Sequence, residues 1–117
     1  MNKNSNPQWN KYEAALLLDA LLNVMEKRIT KQEVVAKISY QFRQRAKKDG
    51  IEISSTYRNE NGINLQLGAM EYAFTNGLRG VKHVSKLFYD TVDMYRYAPQ
   101  QFKLLLQCAQ KMYFHIT

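Results

Sequence analysis

The sequence predicts an all-α fold, a compact bundle of about five helices whose first half is helix-turn-helix-like. Three observations carry that expectation. Apolar residues recur at three- and four-residue spacing through most of the chain, the spacing that builds one helical face. Turn-formers are scarce, with five Gly and two Pro, which disfavours a sandwich of many short strands. Helix start and stop signals recur at intervals that leave room for five elements. At 117 residues and 45% apolar content, the chain is one domain by length and can bury a core without disulfides or metals. Residues 1–117 are therefore read as a single helical domain. Residues 1–6 are expected to be disordered, 9–75 to form a three-helix core, and 81–114 to form a C-terminal helical pair.

The first helix opens near Pro7 or near Asn10. Asn6-Pro7 offers a cap followed by a first-turn proline, while Asn10 with Glu13 offers a capping-box spacing. It runs to about residue 27, with Ala14, Leu17, Leu18, Leu21, Val24 and Met25 on one stripe and Asp19, Asn23 and Glu26 opposite. Thr30 and Glu33 repeat the capping-box spacing and open a second helix over 31–48. Val34, Val35, Ile38, Phe42 and Ala46 form its buried stripe. Lys37, Gln41, Gln44 and Lys48 lie away from it, and Asp49-Gly50 ends the helix.

Residues 51–59 read as a loop or a short extended piece. A third helix starts between Asn59 and Asn61, with Ile63, Leu67, Met70 and Phe74 inward. Its other side carries Asn61, Leu65, Gly68 and Tyr72, so it is sandwiched within the protein or presses on a partner. Asn76-Gly77 closes it. Residues 77–82 form a basic, glycine-containing connection. A fourth helix is expected over about 84–97, and Pro99 starts a fifth with Phe102, Leu105, Leu106, Ala109, Met112 and Tyr113 inward. Trp9, Phe42 and Cys108 are expected in the core.

Charge points to function. Between residues 27 and 48 stand eight basic side chains (Lys27, Arg28, Lys31, Lys37, Arg43, Arg45, Lys47, Lys48) and one acid, Glu33. That excess equals the whole formal net charge of +7. Segregated positive charge suits polyanions, and nucleic acid is the expected partner, DNA ahead of RNA. The plainer reading is a solvated face on a basic protein. Residues 57–67 add Arg58, Asn59, Asn61, Asn64 and Gln66 around a helix N-terminus, where unpaired backbone N–H groups and the helix dipole favour phosphate. Arg reads guanine edges, and Asn or Gln reads adenine. The plainer alternative pairs Arg58 with Glu60 or Glu52 and leaves Asn59 or Asn61 as a cap. Arg79 and Lys82, with Lys86, are a weaker candidate phosphate cradle; an ordinary helix connection is the commoner reading. The expected nucleic-acid-binding set is Lys37, Arg43, Arg45, Lys47, Lys48, Arg58, Asn59, Asn61, Asn64, Arg79 and Lys82. Tyr89, Tyr95 and Tyr97 near Arg96 are more in keeping with a half-buried surface than with base stacking.

The chain resembles the small helical modules at the N-termini of bacterial restriction and defence proteins, including HNH endonuclease- and helicase-associated ones. The residues that carry the likeness are Trp9 ahead of Glu13, the amphipathic basic second helix, and the Arg-Asn-x-Asn-Gly-Ile stretch at 58–63. The likeness covers about residues 9–74. The order of helices also resembles Myb/SANT-type three-helix domains. That resemblance implies a third helix in the DNA major groove, with Asn61, Asn64, Leu65 and Gly68 facing DNA. The third helix departs from the Myb pattern in lacking a second Arg or Lys and in carrying Glu71.

Catalysis finds no support in the sequence. His83 and His115 stand apart from any metal-binding spacing, Asp90 and Asp93 are too few ligands, and no nucleophile–base–orienter set is apparent. The 77–82 segment lacks the Walker spacing of an NTPase. No enzyme activity, cofactor or metal is expected. One Cys, no membrane-length apolar run and no signal-like N-terminus imply a cytoplasmic protein. The alternative function is a protein–protein adaptor, as a homodimer or within a larger parent chain, or a small regulator or inhibitor of a nucleic-acid enzyme.

Overall fold

The structure is a computed structural model and describes residues 8–114. The expectations for residues 1–6, the Asn6-Pro7 cap and His115 lie outside the described residues. The fold is all-helical, with α1 (Lys11–Met25), α2 (Lys31–Lys48), α3 (Glu60–Phe74), α4 (Lys86–Tyr97) and α5 (Pro99–Phe114). Helix α1 touches all four others. Around it α2 meets α3, α3 meets α4, α4 meets α5, and α5 returns to α2. The bundle is thus a ring of four helices about a central one.

That arrangement corrects the amphipathic reading of α1. Glu13, the run from Ala14 to Leu18, Ala20 and Leu21 are all buried, so its first three turns are enclosed on nearly every side. A helix apolar all round belongs inside, and the apolar run at 14–18 was the signal for it. Met25, expected inward, is exposed at the end of the helix. Both expected capping boxes form. The Asn10 side chain accepts from the Glu13 N–H at 2.8 Å, and the Glu13 carboxylate accepts from the Asn10 N–H at 3.1 Å. At α2, the Thr30 hydroxyl accepts from the Glu33 N–H at 3.1 Å, and Glu33 accepts from the Thr30 N–H at 3.1 Å. The Thr30 backbone N–H, then its hydroxyl, holds the Glu33 carboxyl below its usual range. Asn59 caps α3 by accepting from the Gly62 N–H at 2.8 Å. Ser85 caps α4, which therefore starts two residues later than expected.

The core is built largely from the expected stripes. Phe42 is buried, and Trp9, though only half-buried, packs edge-on against both Phe42 and Phe88 at 5.6 Å between ring centroids. Phe102, Ala109 and Tyr113 point inward from α5. Cys108 does not: it is exposed, on the outward side of α5 with Leu104. The expectation that it is core fails because Ala109, one residue on, takes the inward position.

The second side of α3 is covered at Gly68 and Tyr72 by the chain's own 77–85 segment, while Asn61 and Leu65 stay exposed. Val81 donates its N–H to the Gly68 carbonyl at 3.0 Å. A Cβ on Gly68 would sit 2.8 Å from Val81 Cγ2, and one on Gly80 (φ +99) would sit 2.5 Å from the Tyr72 backbone nitrogen. Two glycines therefore allow the close approach. Residues 49–59, between α2 and α3, form a longer connection than the three- or four-residue turn of a DNA-binding helix-turn-helix.

Candidate nucleic-acid interface

The expected site residues separate into two groups. Arg58, the best base-reading candidate, is buried at 8% exposure. Its Nε donates to Glu13 Oε2 at 3.0 Å and its Nη2 to Glu13 Oε1 at 3.1 Å, a two-pronged pair with a carboxylate that is itself only 2% exposed. The guanidinium also lies 4.8 Å from the Trp9 ring and 4.7 Å from the Tyr57 ring. Its backbone is left-handed (φ 47), a conformation that costs a non-glycine residue about 1–2 kcal/mol. The Ser39 hydroxyl, donating to the Arg58 carbonyl at 2.7 Å, holds that turn from α2. Arg58 cannot reach a base or phosphate from this position without breaking the core pair, so its assignment to nucleic acid is corrected. The sequence alternatives Glu52 and Glu60 are corrected with it. The true partner is 45 positions away, beyond the reach of local spacing rules.

Arg43 and Arg45 are also engaged with the fold. Arg43 Nη1 donates to the Tyr57 carbonyl at 2.6 Å and the Ser54 carbonyl at 3.3 Å, so it ties the 51–59 loop to α2. Arg45 donates to Asp49 at 2.8 Å and to the Met112 carbonyl at 2.6 Å, and lies 5.8 Å from the Tyr113 ring. These two remain cationic, but their donors are committed. Asn59 is likewise committed as the α3 cap. Arg79 lies 3.5 Å from Glu71 in an exposed ion pair.

The other group faces solvent. Lys37, Lys47, Lys48, Asn61, Asn64 and Lys82 are exposed. Lys37 Nζ sits 5.2 Å from the Phe114 ring. Among the described residues, Lys27, Lys31, Lys37, Lys47, Lys48 and Lys82 enter no ion pair; within 27–48 only Arg28 and Arg45 do. The positive excess of this segment therefore survives folding largely unneutralised. It does not form one patch. Lys37 and Lys48 fall on one flank of the outward face of α2, Lys47 on the other, and Lys27 and Lys31 at its start, along a helix of about 27 Å.

Lys31, Gln32 and Val35 of α2 meet Glu60, Asn61 and Asn64 of α3 across an open cleft of about 360 Å³. The structure thus brings Asn61 and Asn64 beside Lys31, not beside Arg58 or Lys47. Lys31 and Gln32 were missing from the expected set. Their signal was the Thr30 cap, which places both in the first turn of α2. Arg79 and Lys82 lie on the segment that crosses α3 at Gly68, away from this cleft. Their segment leads to α4, where the Ser85 hydroxyl accepts from the Phe88 N–H at 3.3 Å. Tyr89 and Tyr97 are exposed, while Tyr95 packs on Phe74 and Phe102.

Among the described residues, no group of three or more His, Cys, Asp or Glu side chains is placed to hold a metal ion. Asp90 is paired with Lys86 at 2.7 Å. No described helix is long and apolar enough to cross a membrane. No protein-family model matches the chain, and neither a curated protein nor a solved structure matches it.

Proposed function

We propose that this domain binds nucleic acid, DNA ahead of RNA, through the lysines of α2, with Asn61 and Asn64 adding contacts from the start of α3. The observation that carries this reading is the exposed charge: five lysines between residues 27 and 48 face solvent and form no ion pair among the described residues, and only Lys37 has a carboxylate, Asp19, near enough to feel its charge. Cations of this kind release condensed counterions when they meet phosphates, which makes binding strongly salt-dependent. The Arg-Asn-x-Asn-Gly-Ile stretch and its likeness to bacterial restriction and defence modules go with a place in such a protein, or in a mobile-element protein. The arginine of that stretch acts inside the fold and Asn59 caps α3, so Asn61 is what remains of it for contact.

Fluorescence anisotropy on a labelled duplex tests the reading. Binding is expected at 50 mM salt and should weaken steeply by 200 mM. Replacing Lys31, Lys37, Lys47 and Lys48 together by Ala should weaken every sequence alike and lower the salt slope by roughly 3–4. Absence of binding at low salt to both the duplex and its separated strands removes the proposal. A second reading, docking of a protein partner or a second copy, is favoured by Leu78, 85% exposed, and Leu65, 52% exposed, beside the segment that crosses α3. A salt-insensitive dimer in light scattering, indifferent to DNA, selects it.

A further inference from the structure

Tyr40 stands on the outward side of α2, 60% exposed. Among the described residues its ring and hydroxyl make no hydrogen bond, ring stack or cation contact. By contrast, Tyr57, Tyr95 and Tyr113 are each held by a ring or a guanidinium. Its neighbours one turn away on the helix are cationic or uncharged. Lys37 precedes it by one turn, Arg43 and Gln44 follow by one turn, and Lys47 follows by two, about 10 Å along the axis. Ala36, exposed one turn before it, leaves the approach to the ring open. The one acid of α2, Glu33, lies two turns away and is engaged with Thr30.

An open aromatic face between cations matches the chemistry of an unpaired nucleobase on a phosphate chain. The ring stacks on the base, and the lysines follow the backbone. A paired base in a duplex keeps its faces against its neighbours and cannot offer one. We infer that α2 is a single-strand platform, on which Tyr40 stacks an unpaired base while Lys37, Lys47 and Lys48 neutralise flanking phosphates. The inference rests on the nucleic-acid reading above and sharpens it to single strands.

The test compares labelled oligo(dT), oligo(rU) and a duplex of equal length against the whole chain, Tyr40→Ala, Tyr40→Phe and the four-lysine variant. The single strand is expected to bind more tightly than the duplex. Tyr40→Ala should weaken single-strand binding roughly five- to hundredfold and leave duplex binding within about twofold. Tyr40→Phe should stay near the unaltered chain, because the ring and not the hydroxyl stacks. An oligonucleotide carrying 2-aminopurine should lose fluorescence on binding, and lose less with Tyr40→Ala. Tyr40 is exposed, so its variants should keep the melting temperature, and circular dichroism checks that they do. If the duplex binds at least as well, or if Tyr40→Ala matches the unaltered chain while the four-lysine variant still fails, the platform is wrong and the basic-face reading stands. If neither strand form binds at low salt, both fall. The rU and dT arms separate RNA from DNA as the source of the strand.

Discussion

Arg43, Arg45 and Arg58 turn into the fold, whereas Lys31, Lys37, Lys47 and Lys48 turn out of it. The two sets are near neighbours in sequence, and each side chain carries one positive charge. Guanidinium is planar, weakly hydrated and has five donors in a fixed fork, so one side chain can satisfy several loop carbonyls or both oxygens of a carboxylate. Ammonium is compact and strongly hydrated, and it stays in water unless a close partner compensates. The contrast teaches that a basic run is not one population. Two of its three arginines, Arg43 and Arg45, stitch α2 to the 51–59 loop and to α5, while Arg28 stays exposed beside Glu26; Arg58, beyond the run, ties the loop to α1 through Glu13. The lysines of the run are the part left for a polyanion.

That division can be broken most severely at Arg58. Arg58→Ala leaves the Glu13 carboxylate buried without its fork and should cost about 3–5 kcal/mol in urea denaturation. Arg58→Lys keeps the charge but loses the two-pronged geometry and the stacked plane, so it should recover only part of the loss. A variant of Arg58 with unaltered stability would mean that the inward set is not structural.

Arg43→Ala should cost less, about 1–2 kcal/mol, because its hydrogen bonds are partly open to water. Its effect should concentrate on the 51–59 loop, read as faster amide exchange there than in α1.

Alkaline titration sharpens the same comparison from the other side. Tyr57 lies against Arg58 and Tyr113 against Arg45, and burial pushes both phenols above their ordinary value of 10.0. A phenol with a raised folded value binds its proton more tightly in the native state. Its contribution is fully present below the unfolded value and is lost as pH rises through the folded one. The melting temperature should therefore hold up to about pH 10 and fall over the alkaline range above it. A flat profile over that range would remove burial as a constraint on these rings.

The smallest effect is expected from the outward set. Each of Lys31→Ala, Lys37→Ala, Lys47→Ala and Lys48→Ala should change stability by no more than about 0.5 kcal/mol. A larger loss at any one site would move that lysine into the inward class and weaken the case for a free basic face.

Much of the fold was legible because its signals are local. The capping boxes at Asn10–Glu13 and Thr30–Glu33, the proline at the start of α5 and the stripes of α2 and α5 all act within one or two turns. The candidate site was less legible because its partners are remote. Nothing within a turn of Arg58 announces Glu13, and Trp9, Glu13 and Arg58, part of the pattern that suggested a DNA-binding family, meet in the structure as one cluster about a buried ion pair. These three residues thus serve packing. Cys108 misled for a smaller reason: on a helix, one position is 100° of rotation, enough to exchange inside for outside.

Periodicity and capping chemistry dictated five helices and their approximate limits, since each depends on side chains a few positions apart, and composition alone set the charge excess over residues 27–48. Tertiary packing decided that α1 sits at the centre, that the 77–85 segment covers α3, and which cations remain in water. Those outcomes turn on contacts between residues distant along the chain, where the cost of burying a charge is met only if a partner arrives from another element.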